Sequence, residues 1–447
     1  MEGVTGQKPA ARRRRGEQFE AEVESLAFGG RGVARLEGQV AFVAGALPGD
    51  RVRAEITKAK RRFVEARAVE LLRPSEERVA ESCVHEGEPC PGAPWQGLPY
   101  ERQLEEKSKQ VDEALRRIGG LDGFELEAIE PALERWRYRN KLEYSFGERD
   151  GEPTLGFHAR GRWDLVVDVD DCMLASERGN AARNELREWA RAESVPAYDA
   201  RARRGILRNL VVREGWRTGQ IQTRLVTSAT RFPKPPVDLH TAIEGDSGGT
   251  DGPTGVLGEE RLREELCGLR LEMSHGAFFQ TNTEMAERLY VIAREYADLS
   301  GGERVYDLYC GIGTIGLMMG GRAGEVWGLE IVPEAIADAE RNAEANRIEN
   351  ARFMTASART GVRPLIEKAG KPDVVVIDPP RAGLSQKIVR RVLECEAKRI
   401  VYVSCNPTTL APNAAQMVEA GYELKRVRPV DMFPQTPHIE CVAVLEK

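Results

Sequence analysis

A chain of 447 residues has room for two to four domains, and 30% charged with 41% hydrophobic residues reads as a soluble, well-packed protein. No apolar run approaches the roughly 20 residues of a membrane span. The arginines of the N-terminus lack an apolar segment behind them, which excludes a secretory signal and leads us to expect a cytoplasmic protein. Lys and Arg total 65 against 71 Asp and Glu, a net charge of −6 that excludes a bulk polyanion binder. Three basic clusters, Arg12 to Arg15, KAKRR at 58–62 and RARRGILR at 201–208, can still hold phosphates locally, although such runs are more often solvated surface.

In chain order, residues 1–16 read as a disordered basic arm. Residues 17–73 alternate apolar and polar positions between the turns Gly29-Gly30, Gly38 and Pro48-Gly49. That pattern predicts a small all-β barrel of the oligonucleotide-binding kind. Residues 74–98 read as a loop carrying Cys83 and Cys90. Residues 99–283 open with a helical period that stops at Gly119-Gly120. They continue through strand-like runs as an α+β middle domain, with a flexible insertion at 245–255. From residue 284 to 447 strands and helices alternate, the rhythm of a doubly wound, Rossmann-like parallel sheet. Eight cysteines spread over such a chain predict no disulfide framework; catalysis, metal binding or simple core packing remain for them.

Ligands of such sheets bind outside the carboxyl ends of the strands, so the strand exits can be read as a list of candidate site residues. The first exit, DLYCGIGTIGL at 307–317, places Tyr309 before Gly311, Gly313 and Gly316 in a G-x-G-x-x-G turn. A dinucleotide is one candidate ligand. The carboxylate of Asp307 instead suits an ammonium, such as the amino-acid end of S-adenosylmethionine, and Glu330 at the second exit can accept both ribose hydroxyls. The exit DPPRAG supplies Asp378 and Arg381. In RIVYVSCNPTTL, Pro407 cannot extend a ladder, so the chain leaves the sheet and delivers Cys405 to the ligand edge rather than to the core. Glu440 reaches the same edge if the last strand runs antiparallel. A thiol opposite a methyl donor is required when the acceptor is C5 of a pyrimidine. Thiolate addition at C6 makes C5 nucleophilic, and a base must afterwards remove the C5 proton.

At this point the sequence strongly resembles the TRAM-domain-containing RNA uracil-C5 methyltransferases, in particular the branch acting on 23S ribosomal RNA. The resemblance covers nearly the whole chain and rests on WRYRNKLEYSF at 136–146, FFQTN at 278–282, DLYCGIGTIGL, DPPRAG, SCNPTTLA and PQTPHIECVAVL. It implies a class I methyltransferase sheet with an antiparallel last strand, a TRAM-like N-terminal barrel, S-adenosylmethionine as methyl donor and a monomer acting in rRNA processing. It implies Cys405 as nucleophile, Glu440 as proton acceptor, and Gln280, Tyr309, Gly311, Gly313, Glu330 and Asp378 at S-adenosylmethionine. Arg381 would stabilise the enolate. The helix near 100–119 would pack on the methyltransferase domain. The branch also carries four cysteines holding a [4Fe–4S] cluster. Here Cys83, Cys90 and Cys172 match three of them, Ala93 stands at the third position of the first group, and His85 lies nearby.

Three other readings compete. A nicotinamide-dependent oxidoreductase would use the same glycine turn, but Asp307, Cys405 and Glu440 argue against it. A non-catalytic RNA-binding module would need only the barrel. Transfer RNA is the alternative substrate; the rRNA branch is favoured because the enzymes of this family dedicated to tRNA generally lack the barrel and the cluster cysteines.

Overall fold

The structure, a computed structural model, describes residues 13–83, 85, 90–228, 232–236, 240–244 and 256–447. Two compact units divide the chain: residues 1–82, 93–110 and 434–438 form one, and 83–92, 111–433 and 439–447 the other. No helix of the described residues is long and apolar enough to cross a membrane. The insertion expected at 245–255 and the arm up to residue 12 lie outside the described residues.

The first unit is built on a closed five-stranded barrel, with strands Gln18–Leu26, Gly32–Leu36, Gln39–Ala44, Arg51–Ala59 and Phe63–Arg73. Alternation places Phe19, Ala21, Val23, Ala41, Val43, Val52, Ala54 and Ile56 inside. The KAKRR cluster occupies the turn between the last two strands and is exposed. Residues 13–16, expected as part of the arm, are tied down: Arg13 pairs with Glu17 and Glu37, and the Gly16 N–H donates to the Ile56 carbonyl.

Behind the barrel, Asp50 is wholly buried. It accepts bonds from the N–H groups of Leu47 and Ser75 and a bidentate pair from Arg78, both at 2.8 Å. Burial pushes its pKa up, but the Arg78 guanidinium and the two amides outweigh that and hold it below the ordinary carboxylate value. Asp50→Ala would strand a guanidinium and two amides. We expect it to destabilise the barrel by about 2–4 kcal/mol in a denaturant titration, with S-adenosylmethionine binding by the other unit unchanged.

The second unit contains two large sheets. The first has seven strands, ordered Val256–Leu257, His240–Glu244, Ile221–Thr227, Leu207–Glu214, Lys141–Arg149, Glu152–His158, Val166–Asp168. Helix Glu177–Ala192 covers it, started by Ser176, whose hydroxyl accepts from the Gly179 N–H.

The second sheet carries the chemistry. Its strands are β1 (Arg304–Leu308), β2 (Glu325–Glu330), β3 (Ala351–Thr355), β4 (Val374–Ile377), β5 (Arg399–Ser404), β6 (Glu423–Val430) and β7 (Glu440–Glu446). Their order is β3-β2-β1-β4-β5-β7-β6; β3, β2, β1, β4 and β5 are parallel and β7 is antiparallel to both its neighbours. The helices are α1 (Thr283–Ala297), α2 (Thr314–Gly320), α3 (Pro333–Ala345), α4 (Ala358–Ala369), α5 (Gln386–Glu394) and α6 (Pro407–Glu419). Helices cover both faces, so the central strands are buried on both sides. That is why they read as continuous runs such as Val374-Val375-Val376-Ile377 rather than as alternation.

Two features extend this core beyond the expected start at 284. The hairpin Leu262–Leu266/Leu269–Met273 packs its Leu262, Leu266, Leu271 and Met273 into the same cluster as α1 and the sheet. Glu125–Leu126 adds a short parallel strand beside β6. The helix expected near 100–119 ends in a single π-turn, Ala114–Ile118, that lies against α6; a Cβ at Gly119 would stand 3.0 Å from the Ala411 carbonyl.

Candidate active site

The three glycines after β1 do different work. Gly311 and Gly313 have φ of 54° and 85°, the left-handed region open to glycine. A Cβ at Gly311 would meet nothing within 4 Å, so its backbone faces open space. A Cβ at Gly313 would press on Ala339, Leu317 and Phe353, and one at Gly316 on Asp307. The turn thus leaves room at its first glycine and packs the other two against the fold, as a ligand-cradling turn requires. Tyr309 also sits at positive φ (71°), an uncommon conformation for a tyrosine, held by its N–H bond to the Leu329 carbonyl at 2.9 Å.

Carboxylates surround this turn. Asp307 is buried; one oxygen accepts from the Gly316 N–H at 2.8 Å and the other has no partner. Burial, then the nearby Glu330, raises its pKa to about 7 against the pull of that one N–H. Glu330, half-buried at the end of β2, accepts from the N–H groups of Gly311, Ile331 and Val332. Gln280 is buried just before α1 and bonds the hydroxyl of Tyr290. Asn140, from the WRYRNKLEYSF segment, donates to the Gln280 carbonyl at 2.9 Å and to Thr283 at 2.8 Å, fixing this stretch against the seven-stranded sheet. These residues fit S-adenosylmethionine: an open glycine backbone, a strand-end carboxylate for the ribose and a buried, unpartnered carboxyl oxygen.

The thiol stands a few strands away on the same edge. β5 ends at Ser404, and Asn406 then caps α6, accepting from the Thr408 N–H with Pro407 at the first helical position. Asn406 also donates to the Arg381 carbonyl at 3.0 Å, tying the SCNP exit to the DPPRAG loop. The register pairs Ser404 with Cys441, so Glu440 begins β7 beside Cys405. Burial first, then Glu440 and Asp378, push the Cys405 thiol up to about 11, while Arg381 pulls it down. Glu440 is held well above the usual carboxylate range by burial and by Asp378, again opposed by Arg381. Asp378 itself is raised to about 7 by burial and Asp307, although it keeps a face open to the cleft. Cys405, Glu440, Asp378 and Arg381 therefore form one electrostatic cluster. Sequence reasoning missed Tyr290, for which the sequence carries no signal, and Asn406, which the Asn-Pro helix start could have revealed.

The other cysteines are arranged differently. Cys172 lies close enough to Cys83 and Cys90 to push both of those thiols up, after burial, and the Cys83 sulfur is 3.2 Å from His85 Nε2. Cys172 belongs to the hydrophobic core of the seven-stranded sheet and Cys90 packs against it; burial pushes Cys90 up to about 12. Among the described residues no group of three or more Cys, His, Asp or Glu is placed to hold a metal ion. The donor set does not fit a [4Fe–4S] cluster, which takes four thiolates: it offers three thiols, and a buried alanine, Ala93, stands where the resemblance would put another.

A doubly wound sheet of order 3-2-1-4-5-7-6 with a ligand turn after β1 and a thiol–carboxylate pair after β5 defines a class I methyltransferase. Residues 259–447 match the family model described as tRNA (uracil-5-)-methyltransferase, and residues 12–69 match the TRAM domain. The chain is 37% identical to an uncharacterized RNA methyltransferase of Halalkalibacterium halodurans, covering 96% of each protein. It is also 37% identical to one of Bacteroides thetaiotaomicron, covering 94% of this chain and all of the relative. Among solved structures it resembles the Pyrococcus abyssi tRNA (uracil-54, C5)-methyltransferase in complex with S-adenosyl-L-homocysteine (TM-score 0.76, 30% identity, 96% of this chain and 100% of that one). The chain belongs to the S-adenosylmethionine-dependent RNA uracil-C5 methyltransferase family.

Proposed function

We propose that the protein methylates C5 of a uridine in 23S rRNA, acting as a cytoplasmic monomer, with Cys405 as nucleophile and Glu440 as base. The meeting of Cys405, Glu440, Asp378 and Arg381 at the ligand edge carries this reading. S-adenosylmethionine, when bound, supplies an electrophilic methyl group. The Cys405 thiolate adds to C6 of the uracil, and the C5–C6 electrons move toward O4, where Arg381 offsets the developing charge. C5 takes the methyl group. Glu440 then removes the C5 proton, the C–S bond breaks, and the electrons restore the double bond and the thiolate. Gln280, Tyr309, Gly311, Gly313, Glu330 and Asp378 hold the donor. No step runs through an iron–sulfur cluster.

Transfer RNA is the second reading. The Pyrococcus abyssi enzyme, named for tRNA uracil-54, aligns over its whole length, so the presence of an N-terminal barrel does not by itself favour rRNA. Methyl transfer to unmodified 23S rRNA and, separately, to unmodified tRNA decides between them. We expect 5-methyluridine in 23S rRNA alone. Label in tRNA alone would overturn the substrate and keep the chemistry; another methylated nucleoside would overturn the chemistry.

A further inference from the structure

The basic segment RARRGILR finds no place in the chemistry above, and the structure sets it beside an unusual side chain. Trp163 lies in the loop between strands Glu152–His158 and Val166–Asp168 of the seven-stranded sheet and is 58% exposed, while most large hydrophobic residues of the chain are buried. The guanidinium of Arg201 lies over its ring, 4.7 Å from the centroid. Arg160 and Arg162 flank Trp163 in its own loop, and Arg203 and Arg204 follow Arg201 in the other; all five arginines are exposed. Two carboxylates lie among them. Asp164 pairs with Arg162 at 3.0 Å and with Arg201 at 4.0 Å, and Asp199 caps the second loop by accepting from the N–H groups of Arg201 and Ala202. Among the described residues, five cations stand against these two anions.

The second loop is built to a fixed shape. Arg203 sits at φ 52° and Gly205 at φ 103°, where a Cβ would stand 2.0 Å from the Ala197 carbonyl, so only glycine fits. Asp199 and Arg204 close the loop by paired backbone bonds. Behind it Arg208 stacks on Tyr198 at 4.1 Å. An indole kept in water, with a guanidinium across it and cations around it, matches what single-stranded nucleic acid needs: an aromatic face for a base and positive charge for the adjoining phosphates.

We propose that Trp163 is a stacking platform for an unpaired base of the substrate RNA, flanked by Arg160, Arg162, Arg201, Arg203 and Arg204 as phosphate ligands. This inference rests on the RNA-methylating reading and adds to it a surface that holds the substrate away from the reacting uridine. The site is indifferent to base identity, because every base presents a π-face.

The test uses the full chain with unmodified 23S rRNA and unmodified tRNA transcripts, taking the RNA that the wild-type chain methylates. Trp163→Ala should weaken equilibrium binding about 5- to 150-fold, the range expected for removing one base stack, and raise KM by a similar factor with kcat within about twofold. Trp163→Phe, which keeps an aromatic face, should stay within about threefold of wild type. The double variant R201E/R203E should lower the slope of log K against log salt by about 0.7 for each phosphate that is no longer neutralised. The exposed position makes unfolding by Trp163→Ala unexpected, and an unchanged melting temperature together with rescue by Trp163→Phe separates base stacking from stability. Unaltered binding and KM in Trp163→Ala, with wild-type methylation intact, overturns this inference alone. A wild-type chain that methylates neither RNA overturns the functional reading and this inference with it.

Discussion

Cys405→Ala is expected to abolish methyl transfer, by on the order of 10⁴-fold or more, while S-adenosylmethionine and RNA binding stay within about threefold. Uracil C5 has no lone pair to offer the methyl group, so removing the thiol removes the route by which C5 becomes nucleophilic, whatever else binds. Serine at 405 should be nearly as inactive, because a hydroxyl ionises far less readily than a thiol. The pH dependence follows from the surroundings. Burial, Glu440 and Asp378 hold the thiol near 11, so in the RNA-free protein about one molecule in 10⁴ carries the thiolate at pH 7. The reactive form is the deprotonated one, and the pKa is raised, so activity is gained as pH rises. The single-turnover rate should climb about tenfold per pH unit between pH 6.5 and 8.5. Arg381 acts against those carboxylates on both Cys405 and Glu440. Arg381→Ala should therefore displace the whole profile toward higher pH, where loss of folding would instead lower the rate equally at all pH values. A flat pH–rate profile in the wild type, or turnover by Cys405→Ala, would remove the thiol from the mechanism.

The edge of the sheet was legible because proline and glycine leave few choices. Pro407 forces the chain out of β5 and starts α6, so Cys405 had to emerge at the strand exit; Gly311 and Gly313 announced the turn that the backbone makes at positive φ. The antiparallel entry of Glu440 needed only the assumption that a terminal strand returns, and the register with β5 places it there. Gln280 came from the family resemblance, since its placement depends on Tyr290 lying one helical stretch later and on Asn140 arriving from another sheet. Neither interaction has a sequence period. The hairpin Leu262–Met273 fell inside the span expected as the α+β middle domain, because alternation tells which face is apolar and not which sheet receives it. Two residues, Glu125–Leu126, are too few to show any period. The fate of Cys83, Cys90 and Cys172 was open for a related reason. A thiol serves equally as ligand or small hydrophobe, and no sequence period announces the core of Leu174, Leu186 and Tyr144 to which Cys172 belongs.

Glu440→Gln should separate the two halves of the reaction. Glutamine keeps the shape of the side chain and removes the proton acceptor. Burial already favours the neutral acid at this position, so glutamine leaves the charge beside Cys405 nearly unchanged and addition at C6 should not be impeded. Methyl transfer in a single turnover should therefore remain within about tenfold of wild type. The C5 proton then has no base, elimination of the thiolate stalls, and the RNA stays bonded to Cys405 through C6. Multiple turnover should fall by about 10²–10⁴-fold, the usual contribution of a general base. A labelled, denaturation-resistant protein–RNA species should accumulate to about one per protein and be absent from the Cys405→Ala, Glu440→Gln double variant. Loss of the single-turnover methylation itself, with no such adduct, would assign Glu440 to activating the thiol instead. Burial and the Asp378 carboxylate hold Glu440 protonated well above the ordinary range in the RNA-free chain, so it can take the C5 proton only once it is ionised. As pH rises that population grows, and the wild-type release step should quicken. The variant has no titrating group at this position, so decay of its trapped adduct should be slow and lack that acceleration over the same range.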